Sequence, residues 1–297
     1  MPTTNINVAH KLYSDRFIAS LQPGVALLRA FSVNLSDEFS KPGDTVSVPL
    51  VTPDTAAEWN KTTNNYVRSI TDLKARPVVL NKRPIAGFAI DQNQLHNFTP
   101  SYWEGKGALN AGEIALYIVR NITALITAAN YPDEMVATLT GFSRKKVADL
   151  RAKLVKKGMK PELSALCLSP DMYSALLSDL EFYVIGNQDA MRTGVIDNLL
   201  GFRNIVEIPT YTGNGFVCHP DAILAASRRI QVADTTPYKS FGSIVEPNTG
   251  LALNRVVLTN GPTGETSYSV EALFGCEVGN PDALVRLVET ATPAPTP

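Results

Sequence analysis

The residues whose types could carry chemistry are three cysteines, three histidines and a run of cations in a chain of 297 residues. Cys167, Cys218 and Cys276 lie 51 and 58 residues apart without a Cys-x-x-Cys pair, a spacing that fits neither a structural zinc site nor a disulfide framework. Each sits in an apolar, strand-like run, where cysteine acts as a small hydrophobe. His10, His96 and His219 are isolated, and none has the i, i+4 partner of a helical metal site. Cys218 and His219 are adjacent, but neighbours on a strand point to opposite faces and cannot form a thiolate–imidazolium pair. Gly213-Asn214-Gly215 begins like a dinucleotide loop, yet Cys218 stands where the third glycine belongs; it reads as a hairpin turn between Tyr211 and Phe216. Gly105-Lys106 lacks the rest of a phosphate-binding loop, and no Gly-x-Ser-x-Gly elbow occurs. These absences predict no catalytic, cofactor-binding or metal-binding residues and no enzyme. An enzyme with an α/β core would need titratable groups brought together from distant positions.

The cations are concentrated. A helix is predicted from Ser143 to Lys160, capped by Ser143, ended by Gly158, with Val147, Leu150 and Leu154 as its apolar stripe. Its other faces carry Arg144, Lys145, Lys146, Arg151, Lys153, Lys156 and Lys157, with Lys160 just beyond, against Asp149 alone. Two readings stand: a surface for phosphates or acidic partners, or a solvated helix face. The whole chain has 27 basic and 28 acidic residues; residues 144–160 hold eight basic and one acidic, which leaves 19 and 27 elsewhere. A net charge of −1 therefore conceals a basic segment and an acidic remainder, and excludes only a uniformly basic protein. Charged residues make up 19%, below the roughly 25% of ordinary soluble domains, while Asn and Thr number 20 and 25. Neutral polar surface loses less on being covered, so this composition suits a chain packed against its own copies, or else reflects ordinary drift in usage.

The elements that must position these residues follow from periodicity. The length suggests about two domains. Residues 1–42 read as an N-terminal arm with one short helical patch, Phe17, Ile18 and Leu21, stopped by Pro23-Gly24. Gly43 to Val51 is a turn and an alternating strand; its partner is Pro77 to Arg83, with Ala86 to Ile90 continuing beyond. Thr52 to Arg76 has no sustained apolar face, and so long a connection signals a functional projection or disorder; it is read here as a projection. Residues 43–92 thus form an extended hairpin, expected to bury Val46, Val48, Leu50, Val78 and Leu80 against a neighbouring subunit, with Lys61 and Lys74 inside the projection. Asn110 to Tyr131 is predicted as a helix capped by Asn110, stopped by Pro132 and apolar on more than one face. Beyond the basic helix come a strand at 164–168, helices at 171–179 and 194–200, strands at 204–208 and 216–218, and a helix at 220–228, an α/β rhythm. Strands follow at 255–259 and 266–278, and 290–297 is a Pro-rich tail. No internal repeat is apparent. The N-terminus lacks the pattern of a signal peptide, and the apolar stretch 111–132 is too interrupted to span a bilayer, so no membrane partner is expected.

The order of these elements resembles the major capsid proteins of tailed bacteriophages with the Hong Kong 97-like fold. The resemblance is carried by the strand running through Ser-Pro into a short helix at Ala165 to Asp179, by Gly194 to Pro209 with its Gly-Phe turn, and by Cys218-His-Pro-Asp-Ala-Ile-Leu to Arg228. It covers about residues 30–280. It implies an α+β chain: N-terminal arm (1–42), E-loop hairpin (43–92), P-domain with a long spine helix (93–132), A-domain with a central sheet flanked by helices (133–230), return strands of the P-domain (231–289) and a disordered tail (290–297). It further implies pentamers and hexamers of one chain in an icosahedral shell around double-stranded DNA, held by non-specific contacts. Scaffolding, portal and decoration proteins would be the other partners, the virion capsid the location, and the host bacterial cytoplasm the place of assembly. The basic helix would face DNA or an acidic scaffold. No fused scaffolding segment is expected before the arm, and neither Lys61 nor Lys74 is marked as a cross-linking residue. Encapsulin-type compartments, which enclose protein cargo, share this fold.

Overall fold

The computed structural model describes residues 6–50, 75–91, 99–179, 196, 199–231, 238–259 and 265–289. Two long helices open the core. Helix α1 spans Ile6–Gly24 and buries Tyr13, Phe17 and Leu21, one residue per turn on a single face. They pack on α2, Pro100–Thr123, whose buried face includes Trp103, Ala111, Ile114 and Ile118. The helices meet at backbone distance: a Cβ on Gly107 would lie 2.7 Å from the Tyr13 carbonyl oxygen, so only glycine fits there. Both helices correct the sequence-based expectation. The arm with a short helical patch is a 19-residue helix inside the main core, and α2 begins ten residues before Asn110. Gly105 and Gly107 are unfavourable inside a helix, but Pro100 occupies the first helical turn, and the close crossing offsets the cost of Gly107. Asn110 caps nothing; its Nδ2 donates to the Tyr13 hydroxyl at 2.9 Å.

A first sheet of six strands is organised on β12, Glu265–Val278. Its first half pairs antiparallel with β4, Ile85–Asp91, and with β11, Ala252–Thr259, which in turn pairs with β10, Tyr238–Val245. The second half pairs with β9, Ile223–Ile230, flanked in parallel by β1, Ser32–Ser40. The helix expected at 220–228 is thus a single 3-10 turn, Pro220–Ala222, followed by a strand. Ile223 to Ala226 is a short continuous apolar run, which reads equally as helix or as a strand buried on both faces; a place between β1 and β12 decides for the strand. Ala86 to Ile90 also differs from expectation, because β4 pairs with β12 and does not prolong the hairpin.

The second sheet has the order β5 (Glu134–Val136), β13 (Leu284–Val288), β8 (Gly215–Cys218), β6 (Ala165–Leu168), β7 (Asn204–Glu207). Its alternation separates two cores. Ala165, Cys167, Phe216, Cys218 and Leu284 face the helices and the first sheet, whereas Leu166, Leu168, Val217, Val285 and Leu287 face α3, Arg144–Lys156, and α4, Pro170–Ser178. Helix α3 matches its predicted position, with Val147, Leu150 and Leu154 fully buried and Gly158 left-handed at φ 78°. Helix α4 starts at Ser169, whose hydroxyl accepts from the Met172 amide, as an N-cap should. Gly213 to Gly215 is not a hairpin turn: β7 and β8 lie on opposite sides of β6, the one parallel and the other antiparallel to it. The helix predicted at 194–200 falls largely outside the described residues, as does the 290–297 tail.

The hairpin base forms a sheet of its own. Strands β2, Thr45–Pro49, and β3, Ala75–Val79, pair antiparallel with Val46 opposite Val78.

Candidate interaction surfaces

At the hairpin base, Val46, Val48, Val78 and Leu80 are buried, and Leu50 packs against them. They bury against their own chain, on Leu224, Ala226 and Ile230 of β9 and Leu273 of β12. The expectation that these five side chains bury against a neighbouring subunit is thereby corrected. Period-2 alternation identified the apolar face of the strand, but the face of β9 and β12 that Val46 and Val48 cover lies 176 to 227 residues away in sequence. Backbone bonds seat the base: Gly43 donates to the Leu80 carbonyl at 2.8 Å, Leu80 to Asp44 at 2.9 Å and Lys82 to Phe274 at 3.0 Å. The Arg83 guanidinium forks onto one oxygen of the buried Glu271 carboxylate, at 2.9 and 2.7 Å. Lys61 and Lys74 lie outside the described residues.

The cations of α3 divide into two groups. Lys157 pairs with Asp133, and Lys153 donates to the Glu134 carbonyl, so both hold the segment leading from α2 into β5. The same segment is gripped from β13, where Arg286 donates to the Tyr131 carbonyl at 2.7 Å and to Glu134 at 2.8 Å. Arg144 and Lys146 are half-buried, and the Arg144 main-chain amide donates to Asp179. Lys145, Arg151 and Lys156 project into solvent, with Lys160 beyond the helix. Seven cations therefore provide three that project freely from the helix, because Lys153 and Lys157 hold the 133–134 segment and Arg144 and Lys146 are half-buried. Two exposed hydrophobes, Val155 and Leu163, accompany them.

The sequence did not disclose the outer face of α2. Tyr102, Leu109 and Tyr117 are exposed, Leu109 by 67%, and recur at spacings of seven and eight residues on one side of the helix. Tracing the helix back to Pro100, through its glycines, would have shown the row.

The groups considered for chemistry are dispersed. Cys167 and Cys218 are buried in strands β6 and β8, and burial holds the Cys167 thiol well above its ordinary range. Cys276 in β12 is half-buried and pushed up to about 11, chiefly by desolvation. Neither Cys167 nor Cys276 is a thiolate at neutral pH. Cys218 points into the main core while the neighbouring His219 has its Nδ1 3.4 Å from Asp221, on the other side, as strand alternation requires. Among the described residues no three of His, Cys, Asp and Glu are grouped to hold a metal ion, and no helix is long and apolar enough to cross a membrane.

No family model and no curated protein matches the sequence. Solved structures do. A chain from Mycobacterium phage Che8 is 14% identical, with a TM-score of 0.50 over 84% of this chain and 86% of its own. The subunit of a virus-like particle from Pyrococcus furiosus is 15% identical, with a TM-score of 0.52 over 94% and 98%. A capsid chain of the cyanophage P-SCSP1u is 11% identical, with a TM-score of 0.51 over 89% and 87%. Identities this low speak to the fold, and with the helix pair, the hairpin base and the helix-flanked second sheet they agree on one: the chain has the Hong Kong 97-like fold of tailed-phage capsid proteins.

Proposed function

We propose that this chain is a shell subunit, the major capsid protein whose copies assemble into the icosahedral container of a tailed phage's double-stranded DNA. The observation that carries the reading is the reach of the structural likeness, 84% to 94% of this chain against 86% to 98% of the phage and particle chains. A likeness of that extent involves both sheets and the helices between them, and not one shared motif. On this reading residues 1–42, although α1 and β1 belong to the body, continue as the arm, the hairpin of β2 and β3 overlies the next subunit, 93–132 with β4 and 231–289 make up the P-domain, and 133–230 the A-domain that gathers into pentamers and hexamers. Since Val46, Val48, Val78 and Leu80 are committed to their own chain, the hairpin would meet its neighbour through the stretch that holds Lys61 and Lys74. The exposed row on α2 supplies apolar surface for another copy.

The cations left exposed on α3 and just beyond it, Lys145, Arg151, Lys156 and Lys160, would meet phosphates of the packaged DNA without reading its sequence, or an acidic scaffold during assembly. Portal and decoration proteins would complete the virion, with assembly in the cytoplasm of the bacterial host. A second reading, a compartment that encloses protein cargo, would use the same fold and the same self-association.

Negative-stain electron microscopy of the purified protein tests the shell. Closed particles or capsomer rings are expected, and a compact monomer under all assembly conditions overturns it. Nuclease-protected DNA in particles from infected cells then separates the two readings.

A further inference from the structure

Two short segments connect the sheets, and they are near-copies of each other. His219-Pro-Asp-Ala-Ile leads from β8 in the second sheet to β9 in the first; Asn280-Pro-Asp-Ala-Leu leads from β12 in the first to β13 in the second. Each forms one 3-10 turn with proline at its start, closed by the bond from the alanine amide to the residue three before it, Ala222 to His219 and Ala283 to Asn280. The turns are bonded to each other as well. His219 donates to the Ala283 carbonyl at 2.9 Å, Gly279 to Ala222 at 2.8 Å and Asn280 to Asp221 at 2.8 Å.

The strands on either side are also paired, β9 with β12 and β8 with β13, both antiparallel. One two-stranded ribbon therefore runs from Arg228 and Leu273 through both turns to Gly215 and Leu287, with its register displaced by a single residue at the turns. Ala222 and Ala283 are buried in the main core. The Tyr131 hydroxyl donates to the Ala222 carbonyl at 2.7 Å, and the Ser32 hydroxyl to Asp221 at 3.0 Å. A Cβ on Gly279 would overlap the Asp221 carbonyl, so no slack remains for even a methyl group.

A hinge needs a few residues free to change φ and ψ, and here the backbone groups that would turn are bonded across the ribbon. We propose that the twin Pro-Asp-Ala turns form a brace that joins the two sheets into one rigid body. The conformational give a subunit requires is then confined to the hairpin base, which touches the body through a small cluster and a few edge bonds. The second half of this statement rests on the shell reading; the first does not.

Hydrogen–deuterium exchange of the free subunit tests the brace. The amides of His219, Ala222, Gly279, Asn280 and Ala283 are expected within threefold of the slowest amides of β8 and β12. Exchange tenfold faster than those strands would reveal a hinge and overturn the proposal. Asn280→Ala removes only the side-chain bond to the Asp282 amide, and Gly279→Ala introduces the overlap. In either variant both turns should loosen together, and loosening of one turn alone also overturns the brace. Where Gly279→Ala does not fold, Asn280→Ala decides. In assembled particles the amides of Gly43, Leu80 and Lys82 should slow at least tenfold relative to the free subunit while the twin turns change less than twofold; the reverse pattern overturns the confinement of motion to the hairpin. If no particles form, the shell reading fails and the free-subunit exchange still decides the brace.

Discussion

The Val79 carbonyl sits directly over Gly275, so closely that a side chain there would overlap it. This is where the edge of the hairpin base crosses the central strand of the first sheet. Lys82 and Phe274 exchange both of their backbone bonds at 3.0 Å beside it, and these are among the few edge bonds between the hairpin base and the body. Gly275→Ala should therefore lift β3 from β12 and uncover part of the cluster around Val78 and Leu80. A cost of about 1–3 kcal/mol, typical of overpacking, is expected in urea unfolding. Full stability in the variant would mean that the crossing tolerates movement.

The connection between β2 and β3 can be shortened without touching that base. Deleting Thr55 to Leu73 leaves the described strands β2 and β3 intact, so the subunit should remain soluble with little change in melting temperature. Electron microscopy should show no closed shells. Normal shells from this variant would show that residues 55–73 are dispensable for assembly.

Glu246 governs the turn between β10 and β11. Desolvation of its carboxylate raises its pKa, but hydrogen bonds from the Thr249 hydroxyl, the Asn248 and Thr249 amides and the Gln22 side chain outweigh that effect, and the net shift is downward from 4.5. A carboxyl whose folded pKa lies below its unfolded value stabilises fully above the unfolded value, and that contribution is lost as pH falls through the folded one. The loss should appear below about pH 4.5 in melting curves taken between pH 3 and 7. Glu246→Gln should be less stable at pH 7 by about 1–2 kcal/mol and nearly lack this acid-dependent component. A variant with the same pH profile as the parent would assign the acid sensitivity to other carboxylates.

The two groups of cations on α3 should separate by experiment. Replacing Lys145, Arg151 and Lys156 with Glu should change stability by less than about 0.5 kcal/mol each, the usual range for exposed sites. The same change should weaken binding to duplex DNA and make it less salt-dependent, by about one unit of the log–log slope for each phosphate no longer neutralised. Lys157→Ala should behave in the opposite way, lowering the melting temperature through the loss of its pairing with Asp133 while leaving DNA binding nearly unchanged. Equal effects of the two sets on binding would return the helix to the role of a solvated face.

Local periodicity exposed much of the fold but little of its long-range pairing. Strand β2 was legible because Val46 and Val48 alternate with Thr45 and Ser47, and α3 because Val147, Leu150 and Leu154 recur at helical spacing with glycine beyond. Helix α2 was foreshortened because Gly107, unfavourable for an isolated helix, is required by the neighbouring α1. Strand β9 was misread because Ala225 and Ala226 suit either structure and the choice belongs to β1 and β12. The basic surface was legible as composition only. Which lysines stay free depends on Asp133 and the Glu134 carbonyl, which the sequence places ten or more residues away from them. The twin turns are not legible as a repeat because three identical residues, Pro-Asp-Ala, are too short a match to mean anything without the ladder between them.

The strands that complete both sheets are made late. Strand β12 pairs with β4, β9 and β11, and β13 joins β5 to β8, so neither core can close around a nascent chain that stops short of residue 265. Contacts between the two ends, such as Tyr13 and Tyr268 about the ring of Phe88, therefore need nearly all of the described chain to be present, a long-range pairing that slows folding. A polypeptide truncated before β12 lacks the strand on which the first sheet is organised and the β13 strand that joins β5 to β8 in the second. Such a chain is expected to be cut by protease much faster than the whole protein, because its apolar sheet faces would be left uncovered.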